Sequence, residues 1–168
     1  MTLMKRFLVS AIIMLTTLSI SAQAFTGKDD SKFQVGANMQ KNGSGINLTY
    51  DYGLGESFSI GASSTYLLGI KSDLDASFGD RFDLKARFNA NLGPVMQVDQ
   101  SFDLYPGLDL SLKNFGGHVG ARYFFAEGFG IYSEFGFPIA QYKSGSLTPE
   151  EKLHNQAYFS IGASFNLN

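Results

Sequence analysis

From Arg81 to Leu92 the chain alternates without a break. Phe82, Leu84, Ala86, Phe88, Ala90 and Leu92 are apolar, while Arg81, Asp83, Lys85, Arg87, Asn89 and Asn91 are polar. A helix would scatter these residues around its circumference, whereas a strand sorts them onto two faces. The segment is therefore predicted to be a strand. Seven further segments obey the same rule: Lys32–Lys41, Gly45–Leu54, Ser57–Gly69, Asp103–Lys113, and the stretches around Val119–Phe125, Phe129–Ile139 and Ala157–Leu167. Each is about as long as a tilted strand must be to cross a bilayer, roughly 9–11 residues.

The connections divide into two kinds. Lys41–Ser44, Gly55-Glu56, Asn114–Gly116 and Ala126–Gly128 read as tight turns of glycine and polar residues. Ile70–Asp80, Gly93–Phe102 and Gln141–His154 are longer. Strands joined by short turns are antiparallel neighbours, and an even count lets the first and last strands pair and close the sheet, which removes both exposed edges. The expected fold is all-β: an eight-stranded antiparallel up-and-down transmembrane β-barrel.

Alternation alone does not say which face is wet. The apolar set consists of full-sized Phe, Leu, Ile and Tyr, which suits the outer wall of a small barrel. The polar set is rich in Gly, Ser and Asn, which suits a crowded interior. Charge placement agrees, and an ionic network inside the lumen is expected from Asp51, Arg81, Asp83, Lys85, Arg87, Asp109, Arg122 and Glu134, with Asp103 also able to contribute. Such charges must be paired or hydrated. The lipid-facing aromatics are expected to be Phe33, Tyr52, Phe58, Phe125, Phe129 and Phe165 near one membrane boundary and Tyr66, Phe82 and Phe137 near the other. An interior of this size is filled by side chains, so a diffusion pore is not expected.

Composition changes the picture at the N-terminus. Lys5 and Arg6 precede the apolar run Phe7–Leu15, and Ala22-Gln23-Ala24 follows. That three-part pattern is a secretory signal peptide, residues 1–24, with a mature barrel over 25–168. Loss of Lys5 and Arg6 leaves 11 basic and 15 acidic side chains, a net charge of −4. No basic stripe for nucleic acid is present, and the absence of Cys removes disulfide, thiolate and cysteine–metal chemistry.

Leader, meander and final strand together resemble the small outer-membrane β-barrel proteins of Gram-negative bacteria. Arg81–Gly93 (RFDLKARFNANLG) and Tyr105–Phe125 (YPGLDLSLKNFGGHVGARYFF) are similar to an uncharacterised outer-membrane family of Bacteroidota. The resemblance implies localisation in the outer membrane and brings no activity. The last strand resembles the signal read by the barrel-assembly machinery, carried here by Ser160, Gly162, Phe165 and Leu167. It departs from the common form, since Phe165 is followed by three residues instead of ending the chain.

The candidate chemistry is sparse. His118 lies on a polar face and could be oriented by Glu134. Small-barrel lipid A deacylases, which share this architecture, place a serine two residues after the histidine; here that position is Gly120, which cannot act as a nucleophile. His154 sits beside the last long loop. Asp73, Asp75 and Asp80 do not follow calcium-loop spacing, and Gly128-Phe129-Gly130 opens no helix that could cradle phosphate. No cofactor or metal is expected. The sequence thus points to a non-enzymatic barrel in contact with outer-membrane lipid. Two long connections on one side, Ile70–Asp80 and Gln141–His154, would meet a surface ligand that the sequence does not name. The alternatives are a soluble exported barrel carrying an apolar ligand, and a membrane-embedded lipid hydrolase.

Overall fold

The computed structural model describes residues 23–168 apart from 73 and 144. The expected leader therefore lies outside the described residues, save for Gln23 and Ala24. The strands are β1 (Ser31–Gln40), β2 (Gly43–Gly53), β3 (Phe58–Ile70), β4 (Phe82–Ala90), β5 (Phe102–Ser111), β6 (Asn114–Ala126), β7 (Phe129–Gln141) and β8 (Tyr158–Asn166), with one-turn helices α1 (Phe78–Arg81) and α2 (Gly93–Met96) on either side of β4. Consecutive strands pair antiparallel and β1 pairs with β8, closing the barrel. The start of β1 and the end of β8 therefore lie at one end of the cylinder, here called the terminal end.

Each strand follows the two-residue repeat read from the sequence. Along β4, Asp83, Lys85, Arg87 and Asn89 are buried while Leu84 and Phe88 are exposed. The same inversion runs around the barrel: Leu108, Leu110, Ile131, Phe135 and Ile161 face outward, and Asp51, Asp103, Asp109 and Glu134 face in. All nine aromatics assigned to the outer wall stand at exposed or half-exposed positions. Several touch one another, as in Phe58 stacked on Phe88 at 5.6 Å and Phe125 edge-on to Phe129 at 5.2 Å.

The turns differ from expectation in detail. Asn114–Gly116 is not a turn but the start of β6, and the connection from β5 is the pair Leu112-Lys113. The reason is that Asn114 is buried and its amide donates to His154 O (2.8 Å) and Asn155 Oδ1 (2.9 Å). Likewise Gly43 and Ser44 belong to β2, leaving Lys41-Asn42 as the turn. The β4–β5 ladder is the shortest, with five registered pairs from Lys85↔Ser111 to Asn89↔Gly107. Pro106 follows in register and has no N–H to give. Pairing resumes beyond it through Leu92 N to Leu104 O at 2.8 Å.

Candidate functional site

The lumen is built from the polar faces of all eight strands, and its centre is a pair of arginines sharing one carboxylate. Arg87 on β4 meets Glu134 on β7 (Nη2–Oε2 2.7 Å) and Asp51 on β2 (Nε–Oδ1 3.3 Å). Arg122 on β6 meets Asp103 on β5 (Nη2–Oδ2 2.8 Å) and reaches the other oxygen of Asp51 at 3.7 Å. Tyr105 lies beside both guanidinium groups, its ring centroid 4.8 Å from Arg122 and 5.9 Å from Arg87. All of these side chains are buried. A guanidinium placed between two carboxylates keeps its charge compensated where water is excluded.

His118 continues the chain of contacts. Its Nδ1 lies 3.0 Å from Asp109 Oδ1, and its Nε2 lies 2.8 Å from Arg87 Nη2 and 2.9 Å from Asn89 Oδ1. Arg87 can only donate and needs a lone pair on Nε2, whereas the Asn89 oxygen needs a proton there, so the ring satisfies one of these two neighbours at a time. The acid beside His118 is thus Asp109 rather than the expected Glu134. Glu134 and Asp109 instead both accept from the Tyr158 hydroxyl, at 3.2 and 3.4 Å. The Nε2 face is occupied by a cation and an amide, with no hydroxyl among its contacts.

The remaining assigned residues are distributed less evenly. Asp83 accepts from Ser111 Oγ at 2.7 Å, and the Lys85 ammonium sits 4.0 Å from the Tyr158 ring centroid. Both are luminal, but Lys85 stands one tier and Asp83 two tiers along β4 from Arg87. Arg81 is a correction: it belongs to α1, its Nε donates to Ala76 O at 3.1 Å, and among the described residues it pairs with no luminal carboxylate. The helical turn breaks the alternation before β4 begins. Conversely, an ion pair between Lys32 and Asp30 was missed. Asp30 also accepts from Thr26 Oγ1 at 2.9 Å, which ties the segment before β1 to the lumen.

Both ends of the lumen are covered. At the terminal end Phe25 is buried with its ring 6.0 Å from the Arg122 guanidinium, and Ala24 packs on Phe124 while donating to Gln100 O at 2.8 Å. At the other end the β7–β8 connection folds over the mouth. Leu153 and His154 are buried there. Gln40 on β1 donates to Leu153 O, His154 Nε2 donates to Arg81 O at 2.9 Å, and Gln156 donates to Lys41 O at 2.6 Å. Burial, then the nearby Lys113 ammonium, pushes the His154 imidazole down to about 4.

The arrangement excludes the interior expected of a carrier of apolar ligands, because charged and hydrogen-bonded groups fill the lumen among the described residues. It defines a closed eight-stranded barrel of the kind that crosses membranes. A solved structure titled "De novo design of transmembrane beta-barrels" superposes with a TM-score of 0.58 at 9% identity, covering 84% of this chain and 98% of that one. At that identity the likeness is one of fold. The chain belongs to the family described as "Family of unknown function (DUF6646)", whose model matches residues 15–167. No curated protein matches the sequence.

Proposed function

We propose that the mature protein is a non-enzymatic barrel of the outer membrane of a Gram-negative bacterium of the Bacteroidota. It is exported by a leader cleaved after Ala24 and inserted by the barrel-assembly machinery through Ser160, Gly162, Phe165 and Leu167. Its lumen serves as a rigid plug. Its contacts with other molecules are made by two connections remote from the chain ends, 71–81 and 142–157, and surrounding lipid covers the wall.

The observation that carries this reading is the inverted distribution of polarity. The buried set is charged and amide-bearing, and the exposed set is Leu, Ile, Val and Phe. In water such a wall would be an aggregation surface far larger than a soluble monomer shows; in a bilayer it is the required solvent-facing surface.

Fractionation with gel mobility tests the reading. The protein is expected in the detergent-requiring outer-membrane fraction and to migrate differently before and after boiling. Trypsin added to intact cells should cut at Lys143 or Lys152, in the β7–β8 connection. Solubility of the mature chain without detergent would overturn the proposal.

A further inference from the structure

The connection between β4 and β5 is unlike the others at the terminal end of the barrel. Its neighbours there, 54–57 and 127–128, are short turns containing Glu56 and Glu127. This one carries α2 and a run from Leu92 to Val98 without a charged residue. Three of its large apolar side chains are exposed, Val95 at 64%, Met96 at 44% and Val98 at 73%, and of these Val95 and Met96 stand clear of the hollow beneath the loop.

The projection is built rather than loose. Pro94 stands in the first turn of α2, Met96 N donates to Leu92 O at 2.8 Å, and Gln97 ends the helix in the left-handed region at φ 50°. Gly93 N donates to Asp103 Oδ1 at 2.9 Å, the same carboxylate that holds Arg122. The underside of the loop covers a hollow of about 480 Å³ lined by the polar Gln23, Gln97, Asp99 and Gln100 together with Phe25 and Val98, and Val95 and Met96 take no part in that lining. The loop is amphipathic, with its apolar side continuing the outer wall of β4 past Phe88, Ala90 and Leu92.

We infer that residues 92–98 are a foot that rests its Val95 and Met96 side chains in the boundary between headgroups and acyl chains of the leaflet at the terminal end. The inference depends on the membrane reading above. Continuity with the wall selects lipid as the occupant: the apolar surface of β4 runs into the loop with no intervening charge, and an uncharged amphipathic turn at a strand end matches the chemistry of that boundary. Such a foot fixes the depth and tilt of the barrel on the β4–β5 side, where the strand ladder is shortest.

The protein has no tryptophan, so one introduced indole reports its own surroundings. Val95→Trp and, as a reference on the wall, Leu110→Trp are reconstituted into phosphatidylcholine vesicles with and without brominated acyl chains. Each must first show heat-modifiable mobility; Met96→Trp replaces Val95→Trp if that variant does not fold. The expected result is that bromolipid roughly halves the emission at both positions, with acrylamide quenching weak. If Leu110→Trp is quenched by bromolipid but the loop indole answers only to acrylamide, the foot is wrong and the membrane reading stands. That outcome would leave the loop as a surface for a water-borne partner. If neither answers to bromolipid, both fail.

Discussion

Tyr105 lies flat across Gly120, its registered partner on β6, so that a methyl group built on Gly120 would sit 2.1 Å from the ring carbons. The ring occupies the place where a side chain would be and stacks against Arg122. Tyr158 uses Gly136 in the same way, at 2.2 Å. Glycine here is a packing device: it lets a large aromatic fill a lumen otherwise too narrow for it.

Gly120→Ala is expected to lower the stability of the barrel by about 1–3 kcal/mol through overpacking. Tyr105→Leu in the same chain should recover part of that loss, since the two residues share one space. The temperature at which the folded band disappears on a gel checks both expectations.

Removing one member of the central charge cluster should cost more. Arg87→Leu takes the cation from buried Glu134 and leaves Asp51 with Arg122 alone at 3.7 Å, a change worth roughly 3–5 kcal/mol. Removing Glu134 together with Arg87 should cost less than the sum of the two single changes. Urea unfolding in vesicles, followed by circular dichroism, measures the difference.

Much of this was legible in the chain. The two-residue repeat of β4 gave strand type, the facing of each residue and the identity of most buried charges, because a strand offers each side chain only two directions. Tyr105 and Gly120 were both readable as luminal, but their pairing needed the register between strands, which distant turns decide. The signal for Lys32 and Asp30 was present: residues two apart at a strand start share a face. Arg81 misled because Asp80 accepts from Ser77 N (3.0 Å) and Oγ (2.6 Å), winding a helical turn that the alternation gives no hint of. The cover over the mouth was illegible, since Leu153 and His154 owe their burial to Gln40, Arg81 and Asn114 on three separate strands or turns.

That cover should respond to acid. Burial and the ammonium groups of Lys113 and Lys85 outweigh the Arg81 carbonyl and Asp80, so the docked His154 binds a proton only near pH 4, against 6.5 when free. A depressed imidazole favours docking fully above about pH 6.5 and progressively less down to about pH 4. The loss amounts to about 3 kcal/mol at most. Hydrogen exchange at residues 150–156, corrected for intrinsic rates, should accelerate from pH 7.5 to pH 5 by roughly thirtyfold. His154→Gln should remove that dependence.

The orientation of the wall is tested most directly by two neighbours on β5. Leu110 is exposed, whereas Ser111 is buried beside Asp83. Leu110→Arg places a charge on the acyl-chain side, one residue from the end of β5, and should weaken folding into vesicles by ~1–2 kcal/mol, less than the midplane cost. Ser111→Arg places it beside a carboxylate and should be tolerated better. Equal losses, or a greater loss at Ser111, would mean that the hydrocarbon side of this barrel is not its outside.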